Sequence, residues 1–186
     1  IANTNAQWMS SELASHGINT YYHTVVGDNL QRLAKVFKQA QQRSDVVLVS
    51  GGLGPTMDDL SREAFEKISG IPIVEDQASL EKIVAFFKTQ QIEMTPNNKR
   101  QARIFKDSIL LANKKGMAPG NLVEYAGVKW FFMPGGPKEM KQIFADEVIP
   151  RLKALNGDMV IESKVLKVIG IGESILEDRL AELITS

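Results

Sequence analysis

Apolar residues recur along this chain in two rhythms, one helical and one strand-like, and the rhythm switches repeatedly. Trp8, Met9 and Leu13 fall on one face of a first predicted helix, capped by Asn3 or Thr4 and closed by Gly17. Residues 18–26, rich in Tyr, Thr and Val, predict a strand. Asp28 is the expected cap of the next helix, where Leu30, Leu33, Ala34, Phe37 and Ala40 follow the i, i+3, i+4, i+7 rule. Residues 45–50 are apolar on both faces, as a buried parallel strand is. A helix is expected over 58–69, ended by Gly70, and another around Leu80, Ile83, Val84 and Phe87.

The second half continues the alternation. Thr95-Pro96-Asn97-Asn98 predicts a turn and helix start. A short strand is expected at 109–112, and two more at 121–125 and 128–133, joined at Ala126-Gly127 as a hairpin. A helix should follow Pro134-Gly135-Gly136-Pro137 and run through Phe144 to about residue 155. Asn156-Gly157-Asp158 is the candidate boundary between a domain at 1–156 and the beginning of a second at 157–186. A strand at 159–169 and a helix opened by a Ser174-x-x-Glu177 capping box are expected there. Such alternation argues an α/β fold with a mainly parallel sheet.

Composition narrows the partners. Lysine plus arginine equals aspartate plus glutamate, 22 against 22, so nothing in the net charge favours nucleic acid or an anionic membrane. The absence of cysteine excludes disulfides and thiolate metal sites and fits a cytoplasmic setting. No apolar run approaches the length of a membrane-spanning helix. The chain starts at Ile1 without an initiator methionine and enters a helical pattern at once, so a preceding segment is expected.

The chemistry concentrates at residues 46–59. A β-branched run empties into a loop with glycines at 51, 52 and 54, then Thr56, Asp58 and Asp59. Glycines let backbone N–H groups approach an anion, and a helix N-terminus adds partial positive charge. The loop lacks the Gly-Lys-Ser/Thr ending of a Walker motif and the third glycine of the dinucleotide fingerprint. A bland alternative stands beside this reading: a tight strand-to-helix turn, with Thr56-x-x-Asp59 as a capping box. Two carboxylates ~4 Å apart repel by roughly 4 kcal/mol at an effective dielectric near 20. A helix terminus offsets only about 0.3–1 kcal/mol. If a diphosphate faces both acids, a divalent cation must lie between them, and Mg²⁺ suits such a site. Pro134, Gly135, Gly136 and Pro137 offer a second backbone wall, and Lys99 and Arg100 offer positive charge after the Pro-Asn-Asn turn. Both glycine loops follow a predicted strand, so parallel strands would open them on one sheet edge.

Gly-Gly-Leu-Gly-Pro-Thr-x-Asp-Asp-Leu-Ser-Arg-Glu-Ala resembles the signature of the CinA (competence/damage-inducible protein) family. Ile-Ala-Asn-Thr-Asn-Ala-Gln, Thr-Val-Val-Gly-Asp-Asn, Met-Thr-Pro-Asn-Asn-Lys-Arg-Gln-Ala, Ala-Pro-Gly, Met-Pro-Gly-Gly-Pro and Gly-Ile-Gly-Glu-Ser match in order over essentially the whole chain. The resemblance implies a three-layer α/β/α domain of the molybdenum-cofactor-biosynthesis type, followed by the start of a small α+β domain. It implies metal-dependent hydrolysis of the diphosphate of ADP-ribose or a similar nucleoside-diphosphate sugar, with Mg²⁺ or Co²⁺. A non-catalytic molybdopterin- or nucleotide-binding module is the alternative. The family's amidohydrolase activity belongs to a C-terminal domain that is absent here. The family also tends to form homo-oligomers, a dimer being favoured.

On this reading Asp58 and Asp59 are the metal-binding and catalytic residues. Gly51, Gly52, Gly54, Thr56, Asn97, Lys99, Pro134, Gly135, Gly136 and Pro137 bind the phosphates. The chain departs from the family pattern in two places. Members open with a strand inside the sheet and a Gly-Thr-Glu-Leu-Leu-type loop, which this sequence lacks. The usual Pro-Gly-Pro-Pro-like turn is Pro-Gly-Gly-Pro here.

Overall fold

The computed structural model of the chain describes residues 2–156 and 167–184. Its central sheet is built around the longest apolar run of the second half. Strand β6 (Val128–Met133) is almost wholly buried and pairs in parallel with β1 (Val46–Ser50), Ser50 opposite Met133. On its other side β6 pairs antiparallel with β5 (Gly120–Tyr125), and β5 with the short β4 (Ile109–Leu111). The order β1-β6-β5-β4 makes a mixed sheet with one parallel pair. A second, two-stranded antiparallel sheet joins β2 (Ile73–Glu75) to β3 (Arg103–Phe105).

The two-residue period of β6 divides the core between two faces. Phe131 and Met133 point into a cluster with Met9 and Leu13 of α1 (Thr4–Ser15), and with Met140 and Ile143 of α5 (Pro137–Ile143). Val128, Trp130 and Phe132 point into the other, with Leu33 and Phe37 of α2 (Leu30–Arg43) and Ala64 and Phe65 of α3 (Ser61–Ser69). Helices therefore cover both faces, and the three-layer α/β arrangement read from the sequence is the one found. The remaining helices are α4 (Gln77–Gln90), a 3₁₀ segment (Pro96–Ala102), α6 (Ile149–Asn156) and α7 (Glu173–Ile184).

Several expectations need correction. Residues 18–26 form no strand, and Tyr21 and Val25 are 79% and 76% exposed. Strand propensity is realised only through a hydrogen-bonded neighbour. Here a groove of ≈780 Å³ separates this segment from β1. β1 is accordingly an edge strand, and all five of its residues are partly exposed despite their apolar composition. Asn29, not Asp28, caps α2: its side chain accepts from the Gln31 and Arg32 amides at 3.1 Å. The helix that follows Pro137 is not continuous. A π-helical turn (Phe144–Val148) sits between α5 and α6, one residue before Ile149-Pro150. Pro150 has no N–H to bond back one turn and its ring crowds that carbonyl, which widens the preceding turn.

The hairpin at Ala126-Gly127 is present, with φ of 47° and 81° at the two central residues. At the far end, Ser174 does not cap α7. The Gly172 carbonyl takes the first amides, from Ile175 and Leu176, and Ser174 lies inside the helix. The expected strand at 159–169 falls mostly outside the described residues, and 167–169 carry no strand. The boundary at Asn156-Gly157-Asp158 lies at the edge of the described residues. Among these, no helix is long and apolar enough to cross a membrane.

Candidate functional site

The parallel pairing of β1 and β6 brings the two glycine loops together. Both leave the carboxyl ends of adjacent parallel strands, where open α/β sheets bind ligands. The Gly51 amide donates to the Met133 carbonyl at 2.9 Å. A methyl group added at Gly135 would lie 3.3 Å from Gly51 Cα, so the loops touch backbone to backbone. Asn5, in the first turn of α1, fastens both: its Nδ2 donates to Ser50 Oγ and to the Gly135 carbonyl, each at 2.9 Å. The convergence expected from sequence is therefore observed. Nothing in the sequence singles out Asn5 for this role, because one polar residue on an otherwise mixed helix carries no signal of a partner 130 residues away.

Within the first loop, the glycines have specific reasons to be glycine. Gly51 and Gly52 take φ of 102° and 74°, the left-handed region that other residues avoid. A Cβ on Gly52 would come within 2.2 Å of Ser61 Oγ, and one on Gly54 within 2.5 Å of Asp59 Oδ2. Ser61 Oγ in turn donates to the Gly51 carbonyl at 2.8 Å. Gly52 and Gly54 are thus required by the close packing of the loop on itself, in agreement with the bland reading. A Cβ on Gly51 would meet only the Gly135 backbone, so the side of Gly51 that faces the second loop carries no side chain.

The twin acids do not sit where the sequence put them. Helix α3 begins at Ser61, three residues later than expected, with Leu60 at its cap position and no side-chain cap bond. Asp58 and Asp59 belong to the turn before it. Asp59 Oδ2 accepts from the Thr56 amide at 2.9 Å, and the Asp59 amide donates to the Thr56 carbonyl. The Thr56 hydroxyl is shared between Asp58 Oδ1 and Asp59 Oδ2, 2.6 Å from the latter. Asp58 is exposed and Asp59 half-buried. Burial pushes the Asp59 carboxyl up. The Thr56 hydroxyl, bonds to the Gly54 and Thr56 backbone, and the Arg100 charge outweigh it, holding the group below its ordinary value of 3.8. Asp59 is therefore ionised at neutral pH.

This donor set fits one kind of cation. Two carboxylates meet at one hydroxyl, one of them exposed, and among the described residues no cluster of three or more acidic, histidine or cysteine side chains gathers anywhere. An all-protein cage is not built here. A hard cation held by one or two carboxylates, with water and phosphate oxygens completing its shell, is the type that fits.

Of the two cations expected to bring positive charge, the structure turns Arg100 to the loop. Asn97 and Lys99 are exposed and bond to none of the described residues. The 3₁₀ segment instead turns Arg100 toward the loop, where it donates to the Asp59 carbonyl at 3.3 Å and to Glu63 Oε1 at 3.0 Å. A tighter helix rotates neighbouring side chains by about 120° per residue, which separates two adjacent cations that look equivalent in sequence. In the second loop Pro134 is buried, while Gly135, Gly136 and Pro137 are exposed and Pro137 opens α5.

Known proteins resemble this chain over most of its length. Residues 1–154 match the family described as probable molybdopterin binding domain. The chain is 56% identical over 185 residues to a protein of Oceanobacillus iheyensis provisionally named competence-damage inducible protein, and 44% identical over 185 residues to one of Bacillus subtilis. In both, the match takes in 99% of this chain but 44% of the relative, so the chain spans under half the length of these curated relatives. Among solved structures, the CinA protein of Thermoplasma acidophilum, titled as of unknown function, superposes with a TM-score of 0.71 at 33% identity. It covers 81% of this chain and 88% of that one. The molybdopterin biosynthesis enzyme MoaB of Thermus thermophilus shares the fold, with a TM-score of 0.53 at 16% identity over 83% of each chain. The chain belongs to the molybdopterin-binding-domain family, and within it to the CinA group.

Proposed function

We propose that this domain binds a nucleoside-diphosphate sugar of the ADP-ribose type and hydrolyses its diphosphate with a divalent cation. The observation that carries the reading is that the loop carrying the Asp58–Thr56–Asp59 cluster, with Gly54 close against Asp59, meets the second glycine loop backbone to backbone at Gly51 and Gly135. The diphosphate rests against the main chain of Gly51, Gly52 and Gly54, with Pro134, Gly135, Gly136 and Pro137 forming the opposite wall. Asp58 and Asp59 hold Mg²⁺ or Co²⁺, which when bound neutralises the phosphates and lowers the pKa of a coordinated water.

The chain's own residues do the positioning. Thr56 fixes the Asp59 carboxylate in its ionised form, and Arg100 adds positive charge behind it. Asn5 keeps the two loops in register. Asn97 and Lys99, being exposed and unbonded to the described residues, are free to contact the ligand's outer portion.

The test is AMP release from ADP-ribose with Mg²⁺ or Co²⁺, in the wild type and in the Asp58→Asn/Asp59→Asn double variant. Turnover abolished in the variant supports the reading, and equal turnover removes these acids from the mechanism. Tighter binding of a pterin monophosphate than of ADP-ribose, with no turnover, would make the domain a binding module.

A further inference from the structure

Arg62 is the least expected residue of the loop region. It is 3% exposed, yet it is the second residue of α3, directly behind the glycine loop. Its Nη1 donates to the Leu53 carbonyl at 3.1 Å, which pins the loop from beneath. Its Nε and Nη2 are buried and have no hydrogen-bond partner among the described residues. Among the described residues no carboxylate forms an ion pair with it, although the Glu63 and Asp59 charges favour its charged form. Glu63, the nearest acid in sequence, is already shared by Arg100 and Arg103 at 3.0 and 3.1 Å. Asp59 is engaged by Thr56. Asp58, Asp59 and Glu63 balance Arg62, Arg100 and Arg103 in number under this loop, but Arg100 and Arg103 take the ion pairs with Glu63, and among the described residues Arg62 has none.

A buried guanidinium with two unpartnered nitrogens is costly to the fold, and its single bond to the Leu53 carbonyl offsets only part of that cost. Burial pushes its pKa down to about 10, which leaves it charged at neutral pH. The molecule therefore retains a buried charge whose hydrogen bonding the fold meets only in part.

We propose that Arg62 is the electrostatic anchor of the phosphate site, a positioning residue that holds the loop through Leu53 and supplies a fixed, desolvated positive charge to an anion on the loop. The proposal rests on the reading of the Gly51–Thr56 segment as a phosphate holder. Because the charge lies in the interior, salt screens it less than it screens the exposed lysines.

The experiment is calorimetric titration of pyrophosphate, at a fixed Mg²⁺ concentration, into wild type, Arg62→Met and Arg62→Lys, with thermal unfolding of each. The expected result is that Arg62→Met still folds, unfolding at a somewhat lower temperature because the buried Leu53 carbonyl loses its donor, and binds pyrophosphate about tenfold more weakly. Arg62→Lys should retain most of the affinity, which a purely structural role for the guanidinium would not explain. Wild-type affinity in Arg62→Met would overturn this proposal alone. Loss of folding in Arg62→Met would overturn it too, since support of the fold would then be the role. Absence of pyrophosphate binding in the wild type would overturn both this proposal and the phosphate-site reading.

Discussion

Gly52 shows how little freedom the loop leaves. Its left-handed φ and the approach of Ser61 leave no room for a methyl group. Gly52→Ala should therefore lower the unfolding free energy by at least ~2 kcal/mol in a urea titration, combining backbone strain with overpacking. Phe65 is its counterpart in the core. It is fully buried and meets Phe105, Tyr125, Trp130 and Phe132 edge-on or tilted at 4.9–6.0 Å between ring centres. Truncation to alanine should cost about 3–5 kcal/mol by the same measurement. Asp59 sets a pH dependence. Its carboxyl is held below 3.8, so its contribution is complete above that value and is lost as pH falls through its lower folded value. Between neutral pH and pH ~2, wild type should lose more stability than Asp59→Asn. Equal acid sensitivity of the two proteins would show that the Thr56 contacts do not stabilise the ionised form.

Hairpin and helix breaks carry their own tests. Ala126 occupies a left-handed position of the β5–β6 turn that suits Gly or Asn better. Ala126→Gly should raise stability by about 0.5–1 kcal/mol, relief of strain exceeding the added freedom of the unfolded chain. An unchanged or lower denaturation midpoint would contradict that balance. Most elements were legible from sequence where a strong local pattern coincided with the tertiary environment. The apolar run of β6 and the stripe Leu30, Leu33, Ala34 and Phe37 of α2 are instances. The failures have identifiable causes. Residues 18–26 have strand composition but no strand beside them, and a partner is not a local property. Asp58 and Asp59 looked like first-turn acids because acidic residues favour helix starts. The Thr56 turn captured both before the helix began. Arg100 was indistinguishable from Lys99 until the 3₁₀ geometry set their directions.

Across the molecule, two cores on opposite faces of one sheet hold a rigid floor, and the loops above β1 and β6 take their positions from it. That explains why the meeting of the two glycine loops could be read from sequence while the charge arrangement around them could not. Strand and loop positions follow from periodicity, whereas the strand order, the pairing of Arg100 with Glu63 and the partly unmet bonding of Arg62 depend on distant packing. The central claim concerns the junction of glycine backbone and twin acids, and titrating ADP-ribose into the intact protein with and without Mg²⁺ tests it most directly. The account predicts that Mg²⁺ tightens binding by tenfold or more, and that Asp58→Asn/Asp59→Asn removes this dependence. Equal affinity with and without the cation in the wild type would contradict it.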